Sequence, residues 1–243
     1  MREPRLLIAI KHITKQLIRR FLLHYKIKIL FSSEQGVQHL REYLNEFYIL
    51  QSKGVLHVGA HAGEEAEYYN SLDKKVTWVE GDPDTFIQLI ENIKKFPKQN
   101  AICALLSDKN DTKSFFITSN KGFSSSLHPI LPGVSDWNVN VIAEKVLFTS
   151  KFDDLEITDL DDYDFWIIDV QGHEFEVIEG ALNSLRHAKW VLIEISTKQF
   201  YDSQKVFWEV DELLNRQGFF RLHDPLSEHS DVLYMRRPSI PRP

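Results

Sequence analysis

One stretch, residues 55–80, restricts the fold of this chain more than any other. It reads VLHVGAHAGEEAEYYNSLDKKVTWVE. A β-branched, apolar run at 55–58 leads straight into Gly59-Ala60-His61-Ala62-Gly63. Helix-forming composition follows over 64–72, and a second apolar run at 76–79 ends on Glu80. The pattern is strand, small-residue turn, helix, strand, acid. A turn without large side chains lets backbone approach a ligand. The helix start adds unpaired N–H groups and partial positive charge. An acid at the tip of the next parallel strand can accept two hydrogen bonds from a ribose diol. Glu80 stands 21 residues after Gly59, close to the roughly 20 that this geometry uses. The stretch therefore predicts an adenosine-type ligand lying across the strand ends.

The dinucleotide fingerprint G-x-G-x-x-G is incomplete here. Counted from Gly59, its second glycine position is His61 and its third is Glu64. His61 blocks close approach to a pyrophosphate, and Glu64 repels one. The lysine of a P-loop is absent. A ribose-bearing ligand without phosphates fits better, and S-adenosylmethionine is the common one. A plain tight turn between strand and helix is the alternative reading of this motif.

The 243 residues suit one α/β domain with an appendage. A net charge of −6 argues against a general nucleic-acid binder. The single cysteine, Cys103, rules out an internal disulfide and a cysteine zinc cluster, and a reducing, cytoplasmic setting is expected. No run of about 18 uncharged apolar residues is present, so no membrane span is expected.

Residues 1–30 are basic, and Leu6, Ile10, Ile13, Leu17 and Phe21 recur at helical spacing. They predict an amphipathic helix that packs on the domain, on a second copy in a homodimer, or on an anionic membrane surface. Residues 37–51 predict another helix with Leu40, Leu44, Phe47 and Tyr48 inward. Helices are expected over 84–96, 175–187 and 206–216, and strands over 101–106, 164–169, 190–195, 219–222 and 232–235. Residues 109–118 read as a hairpin or edge strand. Two further short segments, 146–149 and 152–155, lead to the second strong stretch. Residues 127–140, with Pro129, Pro132 and Gly133, read as an irregular excursion over the strand tips, treated as a substrate lid. Alternation of strand and helix from 55 to 216 requires a mostly parallel sheet with helices on both faces. The last two strands have no helix between them, so they pair antiparallel.

The second strong stretch is Ile168-Asp169-Val170-Gln171-Gly172-His173-Glu174, followed by Val177-Ile178-Glu179-Gly180-Ala181. Together with 55–63, Glu65, 79–83, the 122–127 loop, 151–155 and Glu194, it resembles the FkbM family of S-adenosylmethionine-dependent methyltransferases. The resemblance covers residues 54 to 235. The family's usual form at the second stretch is I-D-V-E-G-x-E. This chain carries Gln171 in place of the glutamate, His57 where many members carry aspartate, and Gly81 directly after Glu80. Membership implies a class I, Rossmann-like methyltransferase sheet and typically O-methylation of a sugar, glycan or small natural product. It divides the chain into a helical appendage (1–50), a methyltransferase domain (51–237) and a disordered tail (238–243).

The site expected from these readings places His57, Gly59, Ala60, His61, Gly63, Glu65, Glu80, Gly81, Ser107 and Asp169 at the cofactor. Asp169, His173 and Glu194 are the candidates for the acceptor side. A hydroxyl acceptor must lose its proton. His173 has the most suitable ordinary pKa, and Asp169 sits where α/β sheets bind ligands. Methyl transfer from a sulfonium needs no metal for the donor, and no metal ligand is assigned. Mg²⁺ between Asp169 and Glu194 is a lesser variant. Glu64 and Glu65 serve either the cofactor's ammonium or the first turn of their helix. Two other classes compete: a nucleotide-dependent oxidoreductase, and a homologue that binds S-adenosylmethionine without catalysis.

Overall fold

The computed structural model describes residues 34–133 and 138–238. The basic segment 1–30, residues 134–137 of the expected lid and residues 239–243 of the expected tail lie outside them. The chain forms two compact units, residues 1–47 and 48–243. Helix α1 spans Glu34–Gln51. Phe47 was expected inward but is exposed, whereas Ile49 is buried.

The second unit is built on a seven-stranded sheet. Its strands are β1 (Gly54–Val58), β2 (Lys75–Glu80), β3 (Gln99–Cys103), β7 (Phe165–Ile168), β8 (Trp190–Ser196), β9 (Phe219–Arg221) and β10 (His229–Arg236), in the order β3-β2-β1-β7-β8-β10-β9. The β1–β2, β1–β7, β2–β3 and β7–β8 pairs are parallel, and β10 pairs antiparallel with β8 and β9. This is the class I methyltransferase sheet. The chain grows outward from β1 in one direction through β2 and β3, then returns and grows the other way from β7. The crevice where that order reverses, between the carboxyl ends of β1 and β7, is where such sheets bind ligands.

Both faces of the central strands are covered, which is why β1 and β7 read as continuous apolar runs. Leu56, Val58, Trp166 and Ile168 pack on one face with Val177, Ile178 and Leu214. Val55, Val76, Trp78 and Phe165 pack on the other with Leu89 and Ile93 of helix α3 (Pro83–Ile93). Asp82 caps α3 by accepting from the Thr85 N–H, and Pro83 occupies the first helical position.

Three expected elements differ. The run 101–106 is not one buried strand. β3 ends at Cys103, the Ala104 N–H donates to the Glu80 carbonyl, and Leu105–Leu106 (β4) joins a separate three-stranded sheet. That sheet has the order β4-β6-β5, from β5 (Asp111–Thr118) and the long β6 (Val141–Ser150), of which only 146–149 stood out as sequence. The segment 152–155 is largely a 3-10 turn (Phe152–Asp154). The helix expected over 175–187 is interrupted. Helix α4 (Glu174–Glu179) stops at Gly180, where a Cβ would stand 2.1 Å from the Ser107 carbonyl. A 3-10 turn (Ser184–His187) follows, its start held by the Asp153 carboxylate, which accepts from the N–H groups of Asn183 and Ser184. The remaining helices of this unit are α2 (Ala66–Ser71) and α5 (Phe207–Arg216).

Candidate active site

The cleft at the switch point is lined from both strand ends. Gly59, His61, Glu80, Gly81, Asp82 and Thr85 line one end. Asp169, Val170, Gln171 and His173 line the other, and Leu105, Phe115, Phe123 and Leu127 wall it from the second sheet and its loops.

The β1–β2 half is built mainly from backbone. Gly59 has φ +82, and a Cβ on it would stand 1.7 Å from the Asp169 carbonyl oxygen. Only glycine fits where two strand ends press together this way. The Gly59 and Ala60 N–H groups donate to the Val79 carbonyl, so the turn folds back over β2. His61, also in the left-handed region at φ 45, turns its N–H toward the Glu80 carboxylate, 2.8 Å away. The other Glu80 oxygen accepts from the Asp82 N–H at 2.8 Å. Glu80 is thus fixed by both flanking turns, and each oxygen keeps a lone pair for a ligand hydroxyl. Burial raises its pKa to about 7, against the lowering effect of those two N–H bonds. The His61 ring is a strut beneath the 121–123 loop. It stacks on Phe123 with ring centres 4.2 Å apart, lies 3.1 Å from the Lys121 carbonyl, and pairs with Glu64 at 2.7 Å.

Five expected cofactor residues stand outside the cleft lining. His57 faces the sheet side that carries Trp78, stacks on that ring at 4.8 Å and meets the Tyr69 hydroxyl. Burial lowers its pKa to about 3, so it is a neutral core histidine outside the cleft lining. Alternation along β1 explains this: Leu56 and Val58 point to one face, and His57 to the other. Glu65 is exposed at the N-cap of α2, and Gly63 packs on Leu89. Ser107 lies beside His173 rather than in the lining. Ala60 is buried in the turn.

The β7–β8 half is built from side chains. Gln171, at φ 56, points its amide between two carboxylates: Nε2 donates to Asp169 at 2.6 Å and to Glu194 at 2.8 Å. Its carbonyl accepts from the Tyr201 hydroxyl at 2.7 Å. Tyr201 lies against Gly172, whose φ of +92 and missing side chain leave room for the ring. Glu174 accepts from the Gly172 N–H at 2.9 Å and the Val170 N–H at 3.2 Å. Carboxylate oxygens of Asp169, Glu174 and Glu194 all lie within 4.8 Å of one another. Burial, followed by the charge of Glu194, pushes the Asp169 carboxyl well above its ordinary range. Burial raises Glu174 and Glu194 as well. Only Asp169 of the three lines the cleft; Glu194 lies behind Gln171 and also meets His229 at 2.9 Å.

His173 is buried, and burial followed by the nearby His128 holds its pKa well below the ordinary value. Both ring nitrogens are engaged, Nε2 with Ser107 Oγ at 3.0 Å and Nδ1 with His128 Nε2 at 2.8 Å. Sequence reasoning missed His128, Tyr201 and the Leu105–Phe115 wall, for which no local motif exists. The Asp82-Pro83-x-Thr85 cap directly after Glu80 was a signal for Thr85.

The family model described as "Methyltransferase FkbM domain" matches residues 57–220. The chain belongs to the FkbM methyltransferase family. Solved structures similar to this FkbM-family chain include the magnesium protoporphyrin IX methyltransferase of Synechocystis PCC 6803 with bound SAH (10% identity, 88% of this chain and 87% of that one, TM-score 0.47). A SAM-dependent methyltransferase from Aquifex aeolicus is 17% identical over 80% of this chain and 88% of that one, with TM-score 0.46. Fibrillarin of Aeropyrum pernix, with bound S-adenosylmethionine, is 11% identical over 75% and 66%, with TM-score 0.43. No curated protein matches the sequence. Family membership therefore rests on the sequence match, and the strand order is the chain's own. Among the described residues, no helix is long and apolar enough to cross a membrane.

Proposed function

We propose that this FkbM-family methyltransferase uses S-adenosylmethionine to methylate a hydroxyl of a sugar, glycan or small natural product. One observation carries the reading: Glu80 and Asp169, at the ends of strands flanking β1, line one cleft. The ribose diol lies on Glu80, with the base against Asp82, Thr85 and Leu105. The sulfonium arm passes Gly59 toward Asp169.

The acceptor oxygen attacks the methyl carbon as the carbon–sulfur bond breaks, leaving S-adenosylhomocysteine. The acceptor's proton passes to the Asp169 carboxylate. A carboxyl whose pKa is raised is a stronger base than an ordinary one. Gln171 and Glu194 hold that carboxylate in place and tune it. His173 is buried, with Nε2 on Ser107 and Nδ1 turned toward His128 and Glu176, so it positions the acceptor side rather than taking the proton. Alignment of acceptor and methyl supplies much of the rate, up to roughly 7–11 kcal/mol in the best cases.

Calorimetry with S-adenosylhomocysteine, followed by turnover on a panel of hydroxylated acceptors, tests this. Micromolar binding with methyl transfer supports the reading. Binding without transfer to any acceptor favours a non-catalytic homologue. Binding of NAD(H) in place of S-adenosylhomocysteine favours an oxidoreductase.

A further inference from the structure

Beside the cleft, two imidazoles and a carboxylate converge on one point. His128 lies in the loop after β5, His173 directly precedes α4, and Glu176 is in the first turn of α4. Nδ1 of His173 is 2.8 Å from His128 Nε2 and 3.5 Å from Glu176 Oε2. One ligand atom from each of the three falls within 4.8 Å of the other two. Glu176 Oε2 is buried and accepts no hydrogen bond among the described residues. A carboxylate oxygen in that state calls for a cation or a donor.

The neighbouring hydrogen bonds say which ring nitrogen is available. Ser107 Oγ donates to Asp108 Oδ1 at 3.0 Å and accepts from Lys113 Nζ at 2.9 Å. Its hydroxyl has one hydrogen and two lone pairs. With the hydrogen on Asp108 and one lone pair on Lys113, the remaining lone pair accepts Nε2–H of His173, 3.0 Å away. That tautomer leaves a bare lone pair on Nδ1, facing His128 and Glu176. Metal-binding histidines are held this way, with the outer N–H on a fixed acceptor.

We infer that His128, His173 and Glu176 form a binding site for a divalent transition ion of the zinc class. Two imidazoles with one carboxylate suit zinc, cobalt or nickel, and suit magnesium or calcium poorly. Nitrogens sharing a tetrahedral ion at about 2.0–2.1 Å stand about 3.3 Å apart, so His128 moves by roughly half an ångström on binding. The ion ties the loop bearing His128 to the turn bearing Asp169. That loop is already anchored further along, where Ile130 bridges Tyr201 and the Leu131 N–H donates to the Phe200 carbonyl. The inference stands apart from the methyl-transfer reading, because ion binding is measured without substrate.

The test uses purified full-length protein, stripped with a chelator and titrated with Zn²⁺ by calorimetry and with Co²⁺ by visible absorption. The expected result is one ion per chain at micromolar affinity or better, a rise in Tm, and tetrahedral or five-coordinate Co²⁺ bands. His128→Ala and Glu176→Gln each weaken binding at least tenfold with the circular dichroism unchanged. Glu194→Gln, in the separate carboxylate cluster, leaves zinc affinity unchanged. Absence of stoichiometric binding overturns the site, as does binding that survives both His128→Ala and Glu176→Gln. Loss of binding in Glu194→Gln with retention in His128→Ala moves the ion to the carboxylate cluster and also overturns it.

Discussion

The two halves of the cleft are made differently. Around Glu80 the structure is backbone: one glycine, two amide donors from adjacent turns and an acid at a strand tip. Around Asp169 it is side chain: Gln171, Glu174, Glu194 and Tyr201, drawn from separated parts of the chain. A backbone-built half holds what every turnover shares, because main-chain geometry changes little when neighbouring residues change. A side-chain half can be rebuilt residue by residue, and so can suit a particular acceptor. If that contrast is right, damage to the first half removes donor binding, and damage to the second removes turnover while donor binding survives.

The largest effect is expected from Gly59→Ala. Its methyl would fall on the Asp169 carbonyl, and its backbone is left-handed. Stability should drop by more than about 4 kcal/mol, the range of exceptional single substitutions, with S-adenosylhomocysteine binding lost in the same preparation. A variant that melts normally and binds breaks the contrast. Asp169→Asn should lower kcat by about 10²–10⁴-fold, the usual worth of a positioned base, with donor affinity kept within a few-fold. Equal losses in both would place Asp169 in the donor half.

Gln171→Glu restores the residue usual in the family but replaces an amide donor shared by two acids with a third negative group. It should destabilise the fold by about 1–3 kcal/mol at pH 8, as lost buried hydrogen bonds do. The deficit should shrink toward pH 6 as the acids take up protons, and urea melts at the two pH values decide this. Glu80 gives a pH signature with opposite signs in two measurements. Its folded pKa, about 7, exceeds its ordinary value. Its contribution to stability is therefore complete below about pH 4.5 and is lost as pH rises through 7. Donor binding, which uses the ionised form, should instead weaken by up to about tenfold per pH unit below 7. Affinity flat between pH 5.5 and 8 would remove Glu80 from the ribose. The smallest effect should come from Lys145→Ala. Lys145 pairs with Asp82 and with the exposed Asp84, and its loss should cost no more than about 1 kcal/mol.

The same contrast explains what could be read in advance. Residues 55–80 and 168–174 carry local rules: a glycine where two chains touch, an acid at a strand tip, a cap after it. The parallel sheet and its antiparallel end follow from the spacing of apolar runs. His57 misled because its neighbourhood in sequence is the cofactor turn, while strand alternation sends its ring to the opposite face. The helix expected over 175–187 was too long because its apolar stripe runs on past Gly180 into Leu185, which lies in a 3-10 turn and not in the helix. The β4-β6-β5 sheet was only partly legible, because exposed Val146 and Phe148 blur the alternation that marks a strand against a core. His128 and Tyr201 reach the acceptor side only through tertiary contacts, which leave no trace in spacing.

The carbonyl of Asp169 occupies the space a side chain on residue 59 would need. Both ends of the cleft therefore share a single backbone wall, and that contact fixes their spacing whatever side chains surround it. Anyone redesigning this protein for a different acceptor should leave that wall untouched and vary instead the side chains that face it across the cleft, Leu105 and Phe115.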